Sequence, residues 1–144
     1  MNAVPQTRAI VVEEVLPHTP EKVWRMLTRS ELIAQWLMPN DFQAVVGHKF
    51  NFRTRPVGDW DGVVHCEVLE IRPLHSLRYS WVGGSESSKL ISTVTWTLTA
   101  VDTGTRVRMA HEGFGPSNQN AYDVMSQGWS RIVGRIGQLI AEGK

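Results

Sequence analysis

The amino-terminal part of the chain changes from a strand pattern to a helical one. Residues 7–15 are rich in β-branched side chains and predict a strand. Thr19 and Pro20 then supply an N-cap and a proline at the first helical position, and the apolar positions within 23–27 give the following short helix one hydrophobic face. A second short helix is predicted over residues 30–37, before a proline that ends it.

Between residues 42 and 111 the hydrophobic period changes to two. In each run an apolar face alternates with a polar or charged face, as an antiparallel sheet covered on one side requires. The inward members are Phe50 and Phe52; Leu77, Tyr79 and Trp81; Val94, Trp96 and Leu98; and Val107, Met109 and His111. The strand at 62–71 is ambiguous, because Val64 and Val68 compete for the inner face with the set Val63, Leu69 and Ile71.

The carboxyl-terminal segment predicts one long helix from residue 117 or 120 to residue 141. Its apolar stripe is Met125, Trp129, Ile132, Val133, Ile136, Leu139 and Ile140. Gly128, Gly134 and Gly137 are interpreted as positions where the helix lies close to the sheet. The element order predicts an α+β fold over a single domain, residues 1–144, with two short helices after the first strand and a curved antiparallel sheet of about six to seven strands around the long helix.

Composition and charge restrict the partners. The 144 residues include 15 Lys and Arg against 14 Asp and Glu, which is too balanced for phosphate-driven nucleic-acid binding. No run of residues approaches the length of a membrane span, and residues 1–6 lack the basic-then-apolar order of a signal peptide, so a cytoplasmic location is expected. Cys66, the one cysteine, is interpreted as an ordinary half-buried thiol.

Motifs for catalysis, metals and cofactors fit poorly. His111-Glu112 lacks a second histidine one helical turn later, and it lies on a predicted strand. The glycines of 113–118 do not complete a dinucleotide-binding motif, and the five histidines show no metal-ligand spacing. No catalytic residue, metal ligand or cofactor is therefore predicted, and an enzyme is the less favoured class.

The sequence motifs and predicted elements, taken in chain order, resemble those of the START-like superfamily (SRPBCC, the helix-grip fold). Within it they resemble the branch related to the C-terminal domain of the heat-shock-protein-90 ATPase activator. The segments that carry the resemblance include 19–24, 36–39, 46–50, 62–73, 77–81, 94–98, 104–107 and 111–114. The resemblance implies a cavity between the sheet and the long helix, which the superfamily uses for lipids, polyketides and other apolar small molecules.

Six tryptophans in so short a chain raise the question of whether they fill a core or line such a cavity. As a set, the inward aromatics favour a cavity wall. The predicted ligand-binding residues are Trp36, Phe50, Phe52, Tyr79, Trp81, Trp96, Met109, His111, Met125 and Trp129. His111 has three interpretations: a hydrogen-bonded structural histidine, a polar anchor for the ligand, or a catalytic base.

Three functions follow from these observations. The first is non-catalytic binding of a hydrophobic or aromatic small molecule, lipid-like or polyketide-like. The second, suggested by the resemblance, is an interaction module that stimulates a chaperone ATPase. The third is a cyclase or hydrolase on a polyketide-like substrate, with His111 as acid or base and Glu67 as the candidate second group. An exposed edge strand would allow a homodimer without requiring one.

Overall fold

Six antiparallel strands and three α-helices are formed by residues 7–144, which are the residues that the computed structural model describes, apart from the side chain of Ser87. In chain order the elements are β1 (Arg8–Leu16), α1 (Pro20–Thr28), α2 (Ser30–Trp36), β2 (Lys49–Arg53), β3 (Val63–Arg72), β4 (Ser76–Gly83), β5 (Leu90–Val101), β6 (Gly104–Phe114) and α3 (Gln119–Ala141). Residues 1–6, in which the sequence predicts no signal peptide, lie outside the described part.

The sheet order is β1-β6-β5-β4-β3-β2, so the first strand pairs with the last one and every neighbouring pair is antiparallel. The register places Ile10 opposite His111, and Trp96 opposite Met109. One face of the sheet carries the inward side chains, and α1, α2 and α3 cover this face to form one hydrophobic core. The predicted α+β fold, with a curved antiparallel sheet and a long carboxyl-terminal helix, is confirmed.

Local signals explain where the helices begin. Thr19 caps α1 by accepting a hydrogen bond from the backbone nitrogen of Lys22, with Pro20 at the first helical position. The start of α3 differs from both predicted positions. A 3-10 turn at Pro116–Asn118 leads directly into Gln119, and the Asn118 side chain accepts from Gly115 and donates to the carbonyl oxygens of residues 88 and 89 instead of capping the helix.

The ambiguous strand β3 changes its inner set at a register shift between Val68 and Glu70. Before the shift Val64, Cys66 and Val68 are buried and Leu69 is exposed; after it Ile71, opposite Leu77, packs against the core. Cys66, expected to be half-buried, is buried, and this burial, with the nearby charge of Asp41, raises the pKa of its thiol.

The close approach predicted for three glycines of α3 holds at one of them. A Cβ atom added at Gly137 would lie 3.0 Å from Cδ2 of Leu16, at the end of β1. The same atom at Gly128 or Gly134 would meet nothing within 4 Å, so the interpretation of these two glycines is wrong.

Among residues 7–144, no helix combines the length and the hydropathy that crossing a lipid bilayer would need.

Candidate functional site

An apolar cavity of about 170 Å³ lies between α3, β4 and the segment that follows α2. Trp81 of β4 and Trp129 of α3 form its two large aromatic walls, and Leu37 and Met38 form the side nearest to α2. The other lining residues all belong to α3: Val124, Met125, Gly128 and Ile132. Val124 is 72% exposed, so the cavity reaches the protein surface.

The cavity forms where the apolar stripe of α3 extends past the part of the core that covers it. Met125, Trp129 and Ile132 recur at helical spacing and share one helix face. The fully buried residues of α3 begin only at Trp129, so the preceding turns carry apolar side chains that the sheet covers incompletely. Gly128 contributes no side chain at this point, and the space beside its Cα atom is open.

A shallow groove of about 320 Å³ adjoins the cavity along the outer side of α3. Gly128 and Ile132 line both spaces, so the groove and the cavity lie next to each other along α3. The other lining residues of the groove are Trp36, Arg131 and Arg135, so the groove carries basic side chains that the cavity lacks.

A larger depression of about 540 Å³ lies on the opposite face of the sheet. Its wall carries charges of both signs, with Lys49, Asp61, Glu67 and Lys89 among the contributors. His65 and Glu67 alternate with the buried residues of β3, so the depression faces away from the core. It has the character of a solvated sheet surface and not of an apolar binding site.

Behind the cavity the remaining aromatic side chains pack against one another. Trp96 is fully buried, with its ring centroid 5.4 Å from that of Trp36 and 5.9 Å from that of Trp129. Tyr79 lies 5.5 Å from Phe50 between ring centroids, and its hydroxyl accepts a hydrogen bond of 3.0 Å from Nε1 of Trp96. Burial raises the pKa of Tyr79 well above its ordinary value, so its hydroxyl stays protonated.

His111 is fully buried within a chain of hydrogen bonds. Nε1 of Trp129 donates to its Nδ1 over 3.0 Å, and its Nε2 lies 2.8 Å from Oγ of Ser92. Because an indole nitrogen can only donate, Nδ1 is the acceptor and the imidazole hydrogen resides on Nε2. Ser92 in turn donates to the carbonyl oxygen of Trp81. Burial lowers the pKa of His111 to about 3, which leaves a neutral ring.

The predicted ligand-binding residues divide into three groups. The cavity is lined by Trp81, Met125 and Trp129, and Trp36 lines the adjoining groove. The other six lie within the core and border neither space: Phe50, Phe52, Tyr79, Trp96, Met109 and His111.

Several lining residues are absent from the predicted ligand-binding set. Leu37 and Met38 lie in segment 36–39, which carries the family resemblance, but no pattern marks them as site residues, and Val124 lies outside the apolar stripe of α3. Gly128 has the clearest available signal, because glycine in the interior of a long helix lowers its stability and therefore calls for a packing or functional reason.

The acid–base pair considered for an enzyme is not formed. Glu67 lines the depression on the outer face of the sheet, whereas His111 lies on the core face. Within the described residues, no cluster of three or more His, Cys, Asp or Glu side chains is arranged to hold a metal ion.

Comparison with solved structures places this architecture among known relatives. The protein MLL2253 of Mesorhizobium loti is 42% identical, with a TM-score of 0.85 over 95% of this chain and 99% of that one. The Bacillus halodurans protein BH1534 is 25% identical, with a TM-score of 0.75 over 94% of this chain and 98% of the other. DynU16, a protein of the dynemicin biosynthetic locus, shares the fold at 22% identity and a TM-score of 0.72, and 94% of this chain spans 48% of it.

No functionally curated protein matches the sequence. The profile of the family described as activator of Hsp90 ATPase homolog 1-like protein, by contrast, matches residues 17–141, from the end of β1 to the end of α3. The expected resemblance to the helix-grip proteins is thereby confirmed, and the chain belongs to the activator of Hsp90 ATPase homolog 1-like family.

Proposed function

We propose that the protein binds a hydrophobic or aromatic small molecule without transforming it. The observation that carries the proposal is the apolar cavity with Trp81 and Trp129 as its walls, open to the surface beside Val124. Apolar burial would supply most of the binding free energy, at roughly 25 cal/mol per Å² of surface removed from water.

The size of the cavity restricts the ligand. A dry cavity of roughly 150 Å³ holds a benzene molecule, so the 170 Å³ beside Trp81 suits one aromatic ring with a short substituent. A longer lipid-like or polyketide-like molecule would extend past Gly128 into the groove beside Trp36.

Two leucine substitutions on α3 test the proposal. Gly128→Leu would place a side chain in the cavity, whereas Gly134→Leu would place the same side chain on the same helix where no cavity is lined. Toluene at about 100 times its Kd adds about 2.7 kcal/mol to the free energy of unfolding of a protein that binds it only when folded. Thermal unfolding and tryptophan fluorescence would report that binding.

We expect toluene to raise the Tm of the parent protein and of the Gly134→Leu variant by several degrees. The Gly128→Leu variant, although folded, would show no rise. A parent protein that does not respond to toluene, to naphthalene or to decanoate would contradict the proposed function. An equal response of the two variants would contradict the assignment of the site.

The match to the activator family supports a second candidate, a module that stimulates a chaperone ATPase. Its test is the steady-state ATPase rate of purified Hsp90 with and without an equimolar amount of this protein. A severalfold stimulation that survives Gly128→Leu would favour this candidate over small-molecule binding.

A further inference from the structure

The indole nitrogens of the buried tryptophans differ in one respect. Trp36 donates to the carbonyl oxygen of Met26, Trp96 donates to Tyr79, and Trp129 donates to His111. Nε1 of Trp81 has no hydrogen-bond partner among residues 7–144, although the residue is only 2% exposed. A buried indole usually finds an acceptor, so the difference calls for an explanation.

The free nitrogen of Trp81 is not sealed inside the core. Within the described part of the chain, every side-chain nitrogen or oxygen that is shut off from solvent has a partner, so Nε1 of Trp81 retains access. Trp81 lines the apolar cavity and neither of the other two spaces, so we assign its small exposed surface to that cavity. A donor without a partner therefore stands at an otherwise apolar wall.

The orientation of this donor is fixed before any ligand arrives. The ring of Trp81 lies 5.3 Å from Phe52, 5.2 Å from His111 and 5.8 Å from Trp129, measured between ring centroids. Its backbone lies within β4 and accepts a hydrogen bond from Ser92. Because the indole is held on several sides, a ligand would not have to order it, which lowers the entropic cost of binding.

The ring nitrogens of His111 and Trp129, which lie next to Trp81, already have hydrogen-bond partners. Both ring nitrogens of His111 are engaged, by Trp129 and by Ser92, and the Trp129 nitrogen donates to His111. The orienting role that the sequence suggested for His111 is therefore open to Trp81.

We propose that the ligand is an aromatic ring bearing a carbonyl group or a similar oxygen acceptor, and that this oxygen accepts a hydrogen bond from Nε1 of Trp81. The inference rests on the proposed small-molecule binding and defines the ligand class of that same site. Apolar pockets typically carry a few such polar groups, which set orientation and specificity.

Two nearly isosteric probes separate the hydrogen bond from the apolar contact. Acetophenone has a carbonyl oxygen where α-methylstyrene has a methylene carbon, so both place the same ring in the cavity and only the first can accept. Their Kd values are compared in the parent protein, in Trp81→Phe and in Met125→Ala. Met125→Ala is the matched control, since it shortens another wall of the cavity without removing a hydrogen-bond donor or acceptor.

We expect Trp81→Phe to lower the ratio of acetophenone affinity to α-methylstyrene affinity by about 5- to 10-fold, the effect of one neutral hydrogen bond. Met125→Ala should change the two affinities by similar factors and leave the ratio within about twofold, since both probes lose the same wall contact. A second measurement uses the parent protein alone and needs no substitution. In a ¹⁵N-labelled parent protein, acetophenone should move the Trp81 indole proton downfield, whereas α-methylstyrene, which exerts a comparable ring current, should not.

The outcomes distinguish the two levels of the proposal. If the parent protein binds neither probe, the proposed small-molecule function fails and the inference fails with it. If it binds both, while Trp81→Phe leaves the ratio unchanged and the Trp81 indole proton responds equally to the two probes, only the hydrogen bond to Trp81 is overturned. Should Trp81→Phe not fold, the indole proton of the parent protein decides the question alone.

Discussion

Trp129 on the long helix donates its indole hydrogen to Nδ1 of His111 on the last strand, over 3.0 Å. This bond joins α3 to the sheet in the middle of the core, and the chain of donors continues through Ser92 to the carbonyl oxygen of Trp81. The arrangement uses both nitrogens of a neutral imidazole and holds the two tryptophans of the cavity in fixed positions. His111 thus acts on the site through the residues that it orients.

The buried neutral state of His111 makes stability depend on pH. The pKa of His111 falls from 6.5 in its ordinary state to about 3 in the folded protein. Between these values the unfolded chain binds a proton that the native protein does not. The contribution of the neutral His111 to the free energy of unfolding is therefore complete above pH 6.5 and is lost as pH falls towards 3. Between the two pKa values, where one proton separates the unfolded chain from the native protein, the free energy of unfolding decreases by about 1.4 kcal/mol for each pH unit.

Urea unfolding at several pH values between 7.5 and 4.5 measures this dependence. His111→Gln retains one acceptor and one donor but does not titrate, so we expect it to be less stable than the parent at pH 7.5 and to approach the parent as pH falls. His75→Gln, at an exposed position in the β3–β4 turn, should follow the parent throughout. A constant difference between parent and His111→Gln over the whole range would show that His111 does not carry the effect.

The hydrogen bond between Trp96 and Tyr79 provides a second prediction. Trp96 is fully buried and its Nε1 has Tyr79 as acceptor. Tyr79→Phe removes the hydroxyl and leaves a buried donor unpaired, which should cost about 1–3 kcal/mol of unfolding free energy. Chemical denaturation would measure it. Tyr122→Phe, on the less covered first half of α3, should change stability by less than about 0.5 kcal/mol.

A double-mutant cycle separates this bond from the loss of ring area. Trp96→Phe alone shortens a core ring and leaves the Tyr79 hydroxyl without its donor. The double variant leaves no unpaired polar atom of this pair. Its cost should therefore be smaller than the sum of the two single costs by about 1 kcal/mol. Additive costs would mean that the bond contributes nothing beyond packing.

The contrast between Trp81 and Trp96 shows how far the sequence determines the site. Alternation along β4 and β5 places both residues on the core face, and the fold follows from such periodicity. Alternation does not tell whether the space in front of a ring is empty. Trp96 is covered by Trp36 and Trp129, whereas Trp81 retains a cavity in front of it. That difference depends on how distant segments pack in three dimensions.

The position of the cavity has the same physical origin. It requires Leu37 and Met38, which follow α2, to lie across from α3, and it requires the open space at Gly128. The first condition depends on the path of the loop after residue 36. The second is visible in the sequence only as a glycine that weakens a helix. Gly137 looks the same in the sequence, although there the helix packs closely against Leu16 and no open space lies beside it.

These glycines supply the final prediction, which concerns the packing of α3 against β1. Alanine exceeds glycine by about 0.8–1.0 kcal/mol in helix propensity, so Gly134→Ala, with open space around the new Cβ atom, should raise the free energy of unfolding by roughly that amount. At Gly137 the new Cβ atom would stand 3.0 Å from Cδ2 of Leu16, a side chain that is itself buried. Moving Leu16 inside a close-packed core offsets the gain in propensity. We therefore expect Gly137→Ala to be less stable than Gly134→Ala by at least about 0.5 kcal/mol in urea unfolding. Restoring room with Leu16→Ala should reduce the difference between the two alanine variants, and an equal gain at both positions would contradict the close approach of α3 to the end of β1.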